Sequence, residues 1–265
     1  MKIVCLKGGL GNQMFEYCRF RDLMESGHDE VYLFYDHRRL KQHNGLRPSD
    51  CFELELPSCP WGVKLVVWGL KICRAVGVLK RLYDDEKPEA VLIDDYSQHR
   101  RFIPNARRYF FFRQFLAELQ SGFVQMIRAV DYPVSVHVRR GDYLHPSNSS
   151  FGLCGVDYFQ QAIAYVRKKR PDARFFFFSD DMEWVRENLW MEDAVYVEHT
   201  ELLPDYVDLY LMTLCRGHII SNSTFSFWGA YLAVDGNGMK IYPRRWFRDP
   251  TWTSPPIFSE EWVGL

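Results

Sequence analysis

Two arginines that follow an apolar run are the residues in this chain best suited to chemistry on an anion. The segment Val134-Ser135-Val136-His137-Val138-Arg139-Arg140-Gly141-Asp142-Tyr143 alternates with period two, so its valines face one way while His137 and Arg139 face the other. Arginine presents a fixed planar fork of donors that matches a phosphate, and its charge does not titrate away. The structural alternative is an arginine–aspartate ion pair. An adhesion reading of Arg-Gly-Asp is weak, because the triplet abuts a buried strand.

Three more clusters stand where a strand would give way to a helix. Lys7-Gly8-Gly9-Leu10-Gly11-Asn12-Gln13 can bring backbone N–H groups to an anion at a helix N-terminus, with Asn12 and Gln13 adding side-chain donors and acceptors. A dinucleotide fingerprint would need glycine where Met14 stands, so a nicotinamide site is disfavoured and a tight structural turn is the plain alternative. Phe175-Phe176-Phe177-Phe178-Ser179-Asp180-Asp181 supplies either a helix cap or carboxylates that accept the paired N–H donors of a guanine edge. Ser221-Asn222-Ser223-Thr224-Phe225-Ser226-Phe227-Trp228-Gly229 has more hydroxyls than capping requires, which suits a phosphate seat without a lysine. No P-loop, H-E-x-x-H, G-x-S-x-G or Asp-x-Asp occurs, so a diphosphate here would rely on arginine and helix N-termini, with no metal ligands expected.

The elements that must position these clusters follow from hydrophobic pattern. Strands are expected at 3–6, 31–35, 91–93, 134–138, 174–178, 218–220 and 240–242, and helices at 12–25, 157–169, 182–189, 206–216 and 224–233. Strands alternating with helices mean βαβ units and parallel sheets, in which ligands bind beyond the strands' carboxyl ends. With 265 residues the chain is expected to form two halves, 1–130 and 131–265, before a Pro- and Trp-rich tail.

Composition narrows the class. Lys plus Arg total 33 against 34 for Asp plus Glu, a net charge of −1, which argues against a nucleic-acid binder and leaves only a local anion site. The 16% aromatic content favours a rigid core or a sugar-stacking pocket. Seven scattered cysteines without C-x-x-C fit reduced thiols in a cytosol. The N-terminus lacks a signal-peptide pattern and no stretch is long enough to span a bilayer. Residues 61–82 place Lys64, Lys71, Arg74, Lys80 and Arg81 among Val, Leu, Ile and Trp. They form either a helix packed on the sheet or one lying on an anionic membrane.

Taken together, GGLGNQMFEY, HVRRGDY, FFFFSDD and SNSTFSFWGA resemble the α-1,2-fucosyltransferases of glycosyltransferase family eleven, especially the soluble bacterial members. The similarity runs through nearly the whole chain in order and spacing, with residues 40–125 the least recognisable part. It implies a GT-B-like α/β fold of two Rossmann-type domains with parallel sheets and a cleft between them. Residues 1–130 would face the acceptor and 131–265 would bind the GDP-sugar. It further implies GDP-L-fucose as donor, inversion without a metal cofactor, and a terminal galactose as acceptor.

By the same resemblance, Arg139 holds the β-phosphate, supported by Arg140, while His137 and Asp181 or Asp180 contact guanosine. Ser223, Thr224 and Ser226 match the phosphate-seating junction, and Gly9, Gly11 and Asn12 match the loop that closes over the diphosphate and sugar. Phe227 departs from the tryptophan of many relatives, one aromatic for another. Asp142 is the candidate general base, with Glu16 and Asp36 behind it. An enzyme of the same fold using another GDP-sugar or linkage, and a non-catalytic nucleotide-sugar or glycan-binding module, are the competing readings. A cytoplasmic location is expected, peripheral at the inner face of the membrane if 61–82 touches lipid, and the acceptor is a galactose-terminated oligosaccharide or a lipid-linked glycan.

Overall fold

The computed structural model describes residues 1–36, 45, 48–85, 87–119, 122–198 and 203–265. The chain divides into two compact units, Met1–Arg113 and Gln114–Leu265, so the division falls earlier than the expected boundary near residue 130. The reason lies in two short helices, α4 (Gln114–Ala117) and α5 (Gly122–Arg128), which belong with the second unit and lead into its first strand. α5 buries Val124 and Ile127.

In the first unit, β1 (Lys2–Leu6) lies between β2 (Val31–Tyr35) and β3 (Leu92–Ile93), all parallel. The crossover from β1 to β2 is α1 (Leu10–Glu25), two residues longer at its start than its apolar pattern suggests. After the short α2 (Pro48–Cys51) comes α3 (Trp61–Ala75), whose Val63, Val67 and Leu70 pack with Ile3, Cys5, Phe34 and Leu92.

The second unit holds β4 (Tyr132–Val138), α6 (Val156–Lys169), β5 (Ala173–Ser179), α7 (Met182–Asn188), β6 (Val195–Tyr196), α8 (Tyr206–Thr213), β7 (Gly217–Ile219), α9 (Thr224–Tyr231), β8 (Lys240–Tyr242) and β9 (Val263–Gly264). Its sheet runs β6-β5-β4-β7-β8-β9, every neighbouring pair parallel. Numbered within the unit, that order is 3-2-1-4-5-6, the Rossmann arrangement, in which direction reverses between β4 and β7. β5 shows why four consecutive phenylalanines make a strand. All four are fully buried, with Phe175 and Phe177 on one face and Phe176 and Phe178 on the other, as a central parallel strand requires. The Pro- and Trp-rich tail is no appendage. Trp262 stacks on Phe227 of α9 with centroids 5.3 Å apart, Phe258 stacks on Tyr242 at 3.8 Å, and Val263 and Gly264 add the sixth strand.

Candidate active site

The sheet of the second unit concentrates its polar residues where its order reverses. On β4, Val134, Val136 and Val138 enter the apolar cluster with Phe175 and Phe177. Ser135 and His137 face the opposite side. The Ser135 hydroxyl lies 2.8 Å from His218 Nδ1, and His137 Nδ1 lies 3.0 Å from the Ser221 hydroxyl, so two buried polar pairs couple β4 to β7 and to the residues just after it. Burial pushes His137 down to about 4 and His218 to about 3, which leaves both rings neutral near pH 7. His137 is therefore an uncharged ring against Phe225, with centroids 5.8 Å apart.

Beyond the strand end the charges interlock. Arg139 Nη2 meets Asp142 Oδ1 at 2.7 Å, and its Nη1 meets Asp180 Oδ2 at 2.8 Å. Arg140 Nε donates to Asp181 Oδ2 at 2.9 Å, its backbone N–H donates to Asp180 Oδ1 at 2.8 Å, and its guanidinium stacks over Trp184. Asp181 also accepts the Trp184 backbone N–H at 3.2 Å, so it caps α7. The Arg140 hydrogen bond holds the Asp181 carboxyl below the usual carboxylate range. Burial opposes charge on Arg139, but Asp180 and Asp142 outweigh it and hold the guanidinium above its ordinary value. Gly141 is required by close approach: a Cβ there would lie 2.5 Å from Asp180 Oδ2.

The ion-pair and cap readings left open by the sequence are therefore both realised, and Arg139, Arg140, Asp142, Asp180 and Asp181 form one cluster. Two partners escaped the sequence. Tyr143 donates its hydroxyl to the Asn222 carbonyl at 3.1 Å and stacks on Phe151, tying this loop to the segment after β7. Its place in the run after β4 was the only available hint. Desolvation raises the Asp205 carboxyl while Arg139 opposes the rise, an electrostatic link that nothing in the sequence signals.

The hydroxyl-rich junction before α9 is less uniform than its sequence suggests. Ser223 occupies the N-cap without a side-chain cap bond, and Thr224 opens the helix half-buried. Ser226 is fully buried and donates back to the Ser223 carbonyl at 3.1 Å, so its proton is used inside the helix. Asn222 is a structural knot, its amide donating to the carbonyls of Phe151, Gly152 and Trp246. Beside Tyr143 and Asn222 a cavity of about 710 Å³ opens, with Phe151, Tyr158, Arg245 and Phe247 among its walls. That volume lies within the usual range for small-molecule sites.

The glycine loop of the first unit is built by a different use of charge. Gly8 has φ +71°, and a Cβ there would press on Asn12 and Tyr96. Gly9 is the N-cap of α1, Gly11 and Asn12 lie in its first turn, and no acidic side chain occupies that turn. Gln98 donates to Asn12 Oδ1 at 2.9 Å, and Gln13 donates to the Gly8 carbonyl at 2.8 Å. Lys7 is buried against Asp94 at 2.8 Å. Glu16, a reserve base on sequence grounds, is wholly buried, raised well above the usual range by burial, and accepts the Lys7 backbone N–H at 2.8 Å. Asp36, the other reserve, pairs with Lys71 at 2.8 Å. Both hold the fold of this unit.

Among the described residues, no group of three or more His, Cys, Asp and Glu side chains is arranged to hold a metal ion. The family model described as Glycosyl transferase family 11 matches residues 105–265, which include the entire second unit. This chain belongs to glycosyl transferase family 11.

Three relatives span nearly the whole length of this glycosyltransferase. It is 25% identical to the O-antigen biosynthesis glycosyltransferase WbnK of Escherichia coli, over 98% of this chain and 99% of that one. It is 27% identical to an Escherichia coli alpha-1,2-colitosyltransferase (98% and 97% covered), and 28% identical to the galactoside 2-alpha-L-fucosyltransferase SEC1 of Bos taurus (98% and 72%). Its fold is GT-B-like and similar to that of the NodZ alpha-1,6-fucosyltransferase co-crystallised with GDP, at TM-score 0.52 and 15% identity, with 87% of this chain and 91% of that one covered.

For a glycosyltransferase, the cluster after β4 offers a defined electrostatic device. The Arg139 guanidinium is oriented by two carboxylates and only partly shielded from solvent, with 30% of its side chain exposed. A preset cation of this kind stabilises negative charge that develops on a leaving group without reorganising at the moment of reaction.

Proposed function

We propose that this glycosyltransferase moves L-fucose from GDP-L-fucose to the 2-hydroxyl of a terminal galactose, which makes it a galactoside 2-α-L-fucosyltransferase. The observation that carries the assignment of the donor site is the convergence of Arg139, Arg140, Asp180, Asp181 and the start of α9 at the reversal of a 3-2-1-4-5-6 sheet. The names of the full-length α-1,2-transferring relatives support the linkage.

In this reading the galactose O2 attacks the anomeric carbon of fucose from the face opposite the diphosphate. The C1–O bond to the β-phosphate breaks with its electron pair leaving on GDP, and the configuration inverts. Arg139 takes the β-phosphate, with Arg140 and the N-terminus of α9 at Ser223 and Thr224 beside it. Negative charge grows on the β-phosphate as the bond breaks, so these donors act more strongly in the transition state than in the ground state. His137 and Asp180 or Asp181 serve guanosine, and Asp142 receives the proton from O2. Gly9, Gly11 and Asn12 serve the diphosphate and sugar. Ser226, whose hydroxyl is spent inside α9, is removed from the phosphate seat. No divalent metal is required, because guanidinium and helix N–H groups supply the positive potential. The acceptor is a free or lipid-linked galactose-terminated glycan. The seven cysteines, all free thiols, support a cytoplasmic location.

The test is incubation with a panel of GDP-sugars and galactosides, scored by GDP release and by the linkage of the product, with and without EDTA. GDP-fucose turnover to a 2-linked fucoside, unaffected by EDTA and lost in Arg139→Ala, is expected. Preference for a GDP-sugar other than GDP-fucose would reassign the donor, and binding without turnover would make the protein a recognition module.

A further inference from the structure

Helix α3 is apolar on two faces, and among the described residues of the first unit only one of them is packed against the core. Val63, Val67 and Leu70 cover the sheet. On the opposite side Trp61, Leu65, Trp68 and Ile72 recur at i, i+4, i+7 and i+11, the spacing of a single helical stripe, and are 64%, 49%, 50% and 65% exposed. Trp61 and Trp68 pack edge to face at 5.8 Å. Val76, Val78 and Leu79 continue the exposed apolar surface beyond the helix, with Leu79 held at φ +55°, a conformation rare for a leucine. An exposed apolar stripe of this kind marks an interaction site.

Charge identifies the partner. Residues 61–82 contain five basic side chains and no acidic one. Lys71 and Arg74 are tied to Asp36 and Asp94 of the same unit at 2.8 and 3.0 Å. Lys64 flanks the stripe, and Lys80 and Arg81 are exposed where the apolar surface ends. We propose that this face docks on an anionic phospholipid surface, with α3 lying in the plane of the headgroups, its tryptophans and aliphatic residues inserted, and Lys64, Lys80 and Arg81 on lipid phosphates. At 15 residues the helix is too short to span a bilayer, and among the described residues no helix is long and apolar enough to do so. A two-fold contact with a second copy would bring like basic clusters together, which disfavours self-association. The inference is independent of the donor and the acceptor.

Co-flotation of the full chain with phosphatidylcholine vesicles, with and without phosphatidylglycerol, tests it. The protein should float with the anionic vesicles only and be released by high salt. Trp68→Ser combined with Ile72→Ser should weaken partitioning by about tenfold or more, and Lys80→Glu combined with Arg81→Glu should abolish it. Circular dichroism and GDP affinity should be unchanged in both variants. Failure of the wild-type chain to float, or flotation indifferent to lipid charge and to both double variants, overturns the proposal. So does a dimer in solution that the Trp68→Ser, Ile72→Ser variant dissociates, since the face would then belong to a second copy.

Discussion

The two units contain the same kind of ion pair in opposite circumstances. In the first, Lys7 meets Asp94 with 6% and 4% of the side chains exposed, and the lysine also donates to the Asp94 carbonyl. In the second, Arg139 meets Asp180 with 30% and 27% exposed. A fully buried pair has lost its hydration and cannot part without leaving an unpaired charge in a low dielectric. A half-exposed pair keeps the attraction while retaining access to solvent, so one carboxylate can be exchanged for another anion at modest cost. The same chemistry thus holds a loop in one unit and, in the other, leaves a guanidinium open to solvent, as the proposed donor site requires.

The largest effect that would sharpen this contrast is on catalysis. Arg139→Ala is expected to lower kcat/KM by about 10³ or more, about 4 kcal/mol of transition-state stabilisation. Its thermal midpoint should stay near that of the wild type, and Arg139→Lys should recover only part of the loss because the fork is gone. Lys7→Met should do the reverse. Urea titration is expected to show a loss of about 3 kcal/mol, with kcat preserved in the folded fraction. If Arg139→Ala unfolds the protein while Lys7→Met only slows it, the contrast is inverted.

The next effect is on acid stability. The two neutral imidazoles of His137 and His218 titrate far below an unfolded histidine, so the unfolded chain binds more protons as pH falls through about 6.5. Stability is complete above that pH and declines below it, by about 1.4 kcal/mol per pH unit for each ring, until about 4 for His137 and about 3 for His218. Unfolding midpoints in urea at pH 7, 6 and 5 measure this, and a pH-independent midpoint would contradict it. His218→Asn, which keeps a polar partner for Ser135, should flatten part of the slope.

Smaller effects concern geometry. Gly141→Ala places a methyl against Asp180 and is expected to reduce kcat/KM by about tenfold to a hundredfold through displaced Arg139, with modest loss of stability. Ser226→Ala should leave GDP affinity within about twofold, measured by calorimetry, because that hydroxyl serves the helix. Ser223→Ala should weaken GDP more than Ser226→Ala does.

Much of this was legible in the residues because it is local. The alternation around His137 and Arg139, the four phenylalanines of β5 and the apolar runs of β1, β2 and β7 predict strands that the structure contains within a residue or two. β6 and β9 leave no signal in the sequence, since two-residue strands have no pattern of their own and exist only because a neighbour's edge pairs with them. Ser226 belongs by sequence to a phosphate seat because a hydroxyl in a first helical turn has two uses, and sequence does not show which one burial selects. Glu16 is likewise a residue whose type does not show whether it faces a site or the interior. Its burial beneath the glycine loop follows from packing of α1, not from its neighbours in the chain.

Residue chemistry and hydrophobic period therefore determined the parallel α/β class, the placing of two arginines at the end of a strand, the lack of global positive charge and the basic, acid-free character of residues 61–82. Tertiary structure alone decided that Asp142 and Asp180 share one guanidinium, that Gly141 exists to admit Asp180, that the tail completes the sheet, and that one apolar face of α3 remains outside the core. The division has a physical cause. A side chain's type and its period along the chain are properties of short segments, whereas exposure and ion-pair partnership are set by which distant segments the sheet order brings together.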